Sequence, residues 1–172
     1  MKKLSLFCFV LLIPTLIFAG CQKKDSPAEI DSAKLADAMA QNLSFDDQLE
    51  SIDEDTALSL YTIDKKDFTA CSVYMGTGAT AEEIAVFDAS DEKAAGRIAG
   101  QFQTRIKDQT EAFQNYVPTE LPKLKDAIVS ISGNTVVLCI SKDSQQAQKL
   151  LDAVYKNNGN IEKAVSAVGA KN

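Results

Sequence analysis

Ala127-Ile128-Val129-Ser130-Ile131-Ser132-Gly133-Asn134-Thr135-Val136-Val137-Leu138-Cys139-Ile140-Ser141 is the stretch that decides the fold. Two runs of β-forming residues flank Gly133-Asn134, and a Gly-Asn pair between such runs signals a two-residue hairpin. Side chains alternate along a strand, so Val129 and Ile131 face one way. Val136, Leu138 and Ile140 share a face on the second strand. Such a pair needs further strands and a helical cover to be stable in water.

A second hairpin lies upstream. Residues 68–75 read as a strand with Cys71, Val73 and Met75 on one face. Gly76-Thr77-Gly78-Ala79-Thr80 is a turn, and residues 83–89 form the return strand, with Ile84 and Val86 opposite Ala85 and Phe87. Backbone N–H groups in a Gly76-Thr77-Gly78 turn are of the kind that cradle an anion. The Lys of a phosphate loop is missing and no helix follows, so a plain hairpin connection is the simpler reading.

Helices fill the intervals. Residues 32–42 carry Leu35, Met39 and Leu43 on one face, with Asp31 or Ser32 as cap. Asp53 starts a short helix with Ala57, Leu58 and Tyr61 inward. The longest helix runs from Asp91 to about Asn115, capped by Ser90, with Ala94, Ala95, Ile98, Ala99, Phe102, Ile106 and Phe113 as its apolar stripe. Lys93, Arg97, Gln101, Arg105 and Asp108 are expected to face away; Pro118 ends the helix, and 119–125 is a connector. Asp143 or Ser144 caps a further helix with Ala147, Leu150, Leu151 and Val154 inward. Beyond Gly159, Ile161, Ala164, Val165 and Val168 make a last short amphipathic turn, or a frayed end.

The expected fold is α+β: a four-stranded, mainly antiparallel sheet built as strand-strand-helix twice. The two long helices cover one face, and the N-terminal helices cover an end or edge. The boundaries read as 1–20 for an export signal, 21–30 for a tether, 31–158 for a single domain and 159–172 for a C-terminal extension.

The signal is read from Lys2 and Lys3, the apolar run from Leu4 to Phe18, and Phe18-Ala19-Gly20-Cys21. The run is short for a membrane span. The small-small-Cys ending resembles the lipobox of bacterial lipoproteins. That resemblance implies cleavage before Cys21 by signal peptidase II and a diacylglyceryl group on its sulfur. The expected localisation is therefore the outer face of the bacterial cytoplasmic membrane, with the membrane itself a partner through lipid on Cys21. An ordinary secreted protein and an uncleaved anchor are the alternatives.

Composition narrows the chemistry. The chain has 18 basic and 24 acidic residues, net −6; from Cys21 onward the balance is 16 against 24, or −8. An acidic surface disfavours nucleic acid, whose binding relies on Lys and Arg displacing counterions. There is no His, which removes Ser-His-Asp and Cys-His catalysis and His-ligated zinc, and no Trp. Past the signal and Cys21, only Cys71 and Cys139 remain; they read as a strand-to-strand disulfide or as two small buried hydrophobes. The acidic patch Asp46, Asp47, Glu50, Asp53, Glu54 and Asp55 lacks the central Gly of a calcium loop and reads as solvated carboxylates with a helix start. No metal, cofactor or catalytic residue is expected.

Gly78-Ala79-Thr80-Ala81-Glu82-Glu83-Ile84-Ala85-Val86-Phe87 resembles the signature of a domain-of-unknown-function family of lipoproteins from Gram-positive bacteria. The likeness continues at Tyr116-Val117-Pro118, Glu120, Pro122-Lys123-Leu124 and Gly133-Asn134, and spans about Leu35 to Tyr155. It implies an exported, lipid-anchored domain with no assigned activity. Thr80, Glu82 and Glu83 sit at one end of the hairpin and are the candidate binding surface, with Tyr116 and residues 118–122 as a neighbouring wall. The plain alternative is a solvated strand start. Two functions follow. One is a non-catalytic interaction module for an envelope protein partner, using the exposed sheet face or the 76–83 and 116–122 loops. The other is a small-ligand-binding protein or carboxylate-dependent hydrolase. The latter predicts a deep polar pocket holding a carboxylate of raised pKa. Glu82 and Glu83 are adjacent, hence on opposite faces of a strand, and are a poor acid-base pair by themselves.

Overall fold

A computed structural model describes residues 30–169. The signal, Cys21 and the tether up to Glu29 lie outside the described residues, as do positions 170–172. The elements are α1 (Ser32–Asn42), β1 (Glu50–Ile52), α2 (Glu54–Tyr61), β2 (Phe68–Met75), β3 (Glu83–Ala89), α3 (Glu92–Tyr116), α4 (Leu121–Lys125), β4 (Ile128–Ser132), β5 (Thr135–Ile140), α5 (Ser144–Lys156) and α6 (Ile161–Val168). Single 3-10 turns occupy Lys65–Asp67 and Pro118–Glu120. The α+β class holds.

The sheet has five strands, not four, in the order β1-β2-β3-β5-β4, with every pair antiparallel. The additional strand, β1, pairs Glu50 with Met75 and Ile52 with Val73. It is three residues long and mostly exposed. Nothing in Glu50-Ser51-Ile52 alternates enough to announce a strand, and its acidic neighbours disguise it.

The helices cover both faces rather than one. Against the first face, Ala57 and Tyr61 of α2 and Ala94, Ala95, Ile98, Phe102 and Phe113 of α3 pack on Val73, Ala85, Phe87, Val136, Leu138 and Ile140. Against the second, Leu35, Ala36 and Met39 of α1, Leu150, Leu151 and Val154 of α5 and Ala164 of α6 pack on Ile84, Val86, Val137 and Cys139. The two long helices, α3 and α5, are therefore on opposite sides. The reason is legible in β5, where all six residues are buried: a continuous apolar run, unlike an alternating one, needs cover on both faces. The exposed sheet face expected as a binding surface is consequently absent among the described residues.

Local chemistry sets the element boundaries. Asp31, Asp53, Asp91 and Asp143 each accept a hydrogen bond from the backbone N–H three residues on, capping α1, α2, α3 and α5. The cap of α3 is thus Asp91, not Ser90. Gly133 takes φ +58° at the first central position of the β4–β5 turn, where a side chain would be strained. An edge-to-face cluster of Tyr61, Phe68, Phe87 and Phe102, with centroids 5.3–5.8 Å apart, ties α2 and α3 to the sheet. Cys71 and Cys139 are both free thiols. They lie on β2 and β5, which flank β3, about two strand spacings apart and on opposite faces, too far for a disulfide. Burial pushes the Cys139 thiol up to about 12 and Cys71 to about 11, so neither is a poised nucleophile.

Candidate functional site

Glu82 and Glu83 enter β3 from the 76–80 turn, and the fold takes both out of solvent: Glu82 is 2% exposed and Glu83 is fully buried. A solvated strand start is therefore not what the signature forms. Each carboxylate needs partners at that depth, because an unpaired buried charge costs several kcal/mol.

Glu83 faces α2 and α3. Its Oε1 accepts a hydrogen bond from the Tyr61 hydroxyl at 2.6 Å. Its Oε2 accepts from Arg105 Nε at 3.2 Å, Arg105 Nη2 at 2.8 Å and Gln109 Nε2 at 2.9 Å. Arg105, expected to face away, turns inward to meet this charge. Burial, then the neighbouring Glu83 charge, drives the Tyr61 hydroxyl well above its usual range, so it stays a proton donor.

Glu82 serves the opposite side of the hairpin mouth. Its carboxylate accepts from the backbone N–H of Asp46 at 3.0 and 2.8 Å and of Asp47 at 2.9 Å, and from Thr80 Oγ1 at 3.3 Å. Lys123 of α4 reaches into the same cluster. Its Nζ lies 2.8 Å from Asp46 Oδ2, 3.0 Å from Glu82 Oε1 and 3.1 Å from Glu120 Oε2. All three are close ammonium–carboxylate contacts of the charge-assisted kind. Burial opposes the Lys123 charge, yet the three carboxylates outweigh it and hold the ammonium protonated well above its ordinary range. Glu120 also accepts from the Ala81 N–H at 3.0 Å, which fixes the signature strand to the 118–120 turn. Asp46 bridges Lys123 and Lys142; those two cations hold its carboxyl down to about 2.

Part of the rest of the acidic patch is also committed, while Glu50 and Asp55 stay exposed. Asp47 Oδ2 accepts from Thr77 N and Thr77 Oγ1, both at 2.7 Å, and Glu54 pairs with Lys65 at 2.8 Å. Gly76 passes so close to Asp47 that a Cβ there would stand 2.7 Å from Oδ2. Asp47 thereby pins the 76–80 turn from outside while Glu82 pins it from inside.

Between the turn and α3 lies a hollow of about 230 Å³ whose lining includes Gly78, Thr80, Glu82, Glu83, Gln109 and Phe113. Thr80, Glu82 and Glu83 are brought together here. Tyr116 is outside that lining; it is 69% exposed, and its ring centroid lies 6.1 Å from that of Phe113, which lines the hollow. Sequence reasoning missed Asp46, Tyr61, Arg105, Gln109 and Lys123 as partners. Only the unexplained pair of adjacent carboxylates at a strand start pointed to them.

The family model described as Domain of unknown function (DUF4358) matches residues 41–141. The chain belongs to that family. Within the DUF4358 match lie every strand and all members of both carboxylate clusters except Lys142; most of α1 and all of α5 and α6 lie outside it. No curated protein and no solved structure matches the chain.

A larger hollow of about 850 Å³ sits at the other end of the sheet, near Ile30, and includes Cys71, Asp88, Gly133 and Thr135. Burial raises the Asp88 carboxyl, which accepts a hydrogen bond from Thr135 Oγ1 at 3.3 Å.

Proposed function

We propose that this DUF4358 chain is an exported lipoprotein of a Gram-positive bacterium, anchored through lipid on Cys21, whose domain is a non-catalytic interaction module at the cell envelope. One observation carries the second half of that reading. The charged groups of the signature, Glu82 and Glu83, are buried and bound to partners elsewhere in the fold, and the 76–80 turn they border is exposed at 77–79, with Tyr116 one turn of α3 past the Phe113 that lines the same hollow. Glu82 and Glu83 do not themselves touch the partner, an envelope protein. Saturated carboxylates and a firmly protonated Lys123 are poor acid-base catalysts, whereas a stiff loop with an exposed aromatic suits recognition.

The test is photo-cross-linking in cells from a reactive side chain placed at Tyr116, with a second placed at Lys149 on the outer surface of α5. One protein captured from position 116 and not from 149 is the expected result. Equal capture at both positions, or none at 116, overturns the module. Lipidation is tested separately by lipid-precursor labelling, which a Cys21→Ser variant should lose.

The small-ligand reading retains one specific observation, the half-buried Asp88 in the larger hollow. It predicts that Asp88→Asn abolishes any ligand-induced rise in melting temperature.

A further inference from the structure

The two edges of the sheet are unlike. At one, β1 is three residues long and opens on Glu50 amid other carboxylates, features that discourage strand pairing. At the other, β4 is Ile128-Val129-Ser130-Ile131-Ser132, five residues with no charge and no Pro. Gly133-Asn134 closes a two-residue loop, so Ser132 and Thr135 form a hydrogen-bonded pair, and Ser130 and Ile128 likewise bond to β5. The N–H and C=O groups of Val129 and Ile131 then point outward. Among the described residues no hydrogen bond reaches them. Ile131 is also 49% exposed, one of two large hydrophobics so exposed among the described residues.

We propose that this edge pairs with β4 of a second copy of the chain, antiparallel about a two-fold axis at Ser130, giving a continuous ten-stranded sheet. The strand is self-complementary in that register. Val129 of each copy meets Ile131 of the other, so the outward N–H and C=O groups exchange four hydrogen bonds. On the α3 face this brings together two Val and two Ile side chains, covering the exposed Ile131. β-branched cross-strand pairs of this kind are the favourable ones. Registers shifted by two residues leave part of the five-residue strand unmatched. Charge favours the same place. Each chain carries a net −6, so two copies repel across most of their surfaces, and a neutral strand is where they approach at least cost. The contact is small, and confinement of both copies to one membrane by their lipid would raise the effective concentration. That last aid rests on the lipidation reading; the register does not.

Cysteine cross-linking of the full-length chain in cells tests the register. At the two-fold axis Ser130 faces its own copy in a non-hydrogen-bonded pair, with Cα atoms about 4.5 Å apart, inside the range a disulfide spans. In Ile128→Cys the two thiols would be about 13 Å apart. Mild oxidation should give Ser130→Cys a dimer band on a non-reducing gel that the parent chain and Ile128→Cys lack. Adding Ile131→Lys to Ser130→Cys should remove most of it. No band with Ser130→Cys in folded protein, equal bands at 128 and 130, or a band indifferent to Ile131→Lys each overturns the pairing.

Discussion

Glu82 and Glu83 are consecutive in the chain and share no hydrogen-bond partner. Glu83 is held by Tyr61, Arg105 and Gln109; Glu82 is held by the backbone of Asp46 and Asp47, by Thr80 and by Lys123. The pair is a rivet between layers: one carboxylate fastens the helices on one side of the hairpin mouth, the other fastens the loop after α1 and α4.

The Glu83–Arg105 pair is the costlier one to break. Arg105→Leu leaves a fully buried carboxylate with only Tyr61 and Gln109, and should cost about 3 kcal/mol. Glu83→Leu should cost a similar amount, and the double variant clearly less than the two together, because no orphaned charge remains. Denaturant unfolding of the four proteins measures the coupling; additive losses would contradict it.

Glu82 acts on backbone amides, so its loss should be local. Glu82→Ala frees the N–H groups of Asp46 and Asp47, which are otherwise bonded to it at 2.8–3.0 Å. Hydrogen exchange should accelerate at those two amides by tenfold or more, as about 1–3 kcal/mol of protection goes with each lost partner. The β5 amides should change only by the overall loss of stability. Unchanged exchange at 46 and 47 would show that the loop holds itself.

Asp46 predicts an acid limb. Lys123 and Lys142 depress its carboxyl to about 2. Its folded value is below the unfolded one of roughly 3.9, so its contribution is present above the unfolded value and disappears as pH falls through about 2. The stability gap between the parent and Asp46→Asn should therefore be constant at pH 5–7, shrink between about pH 4 and 2, and vanish below. The side chain is 42% exposed, so solvent screening keeps the gap under about 1 kcal/mol. A gap that widens toward acid would contradict the pairing.

Most elements were legible because they obey local rules. β2 and β3 have the bounds expected from their β-forming residues, and the Gly133-Asn134 turn announced β4 and β5. α1, α2 and α5 begin where an Asp cap placed them. What escaped was non-local. β1 carries almost no apolar signal and exists because β2 offers it an edge. The second helical layer follows from the unbroken apolar runs of β3 and β5, which alternation alone does not register. In the site, Arg105 lies on the polar side of its helix by periodicity alone. Only the buried Glu83, 22 residues earlier, draws it in. Lys123 sits in a Pro-bounded connector, and no spacing rule joins it to Glu82 or Asp46. Such pairs belong to tertiary structure, and one sequence contains no trace of which distant charge answers which.

β3 has a directional consequence. Its Ala89 end lies by Gly133 and Ile30, the residue at which the described chain begins; its Glu83 end carries the 76–80 turn. Six residue steps separate the two, about 20 Å. The described chain therefore enters at the foot of the sheet, and the signature loop stands at its crown.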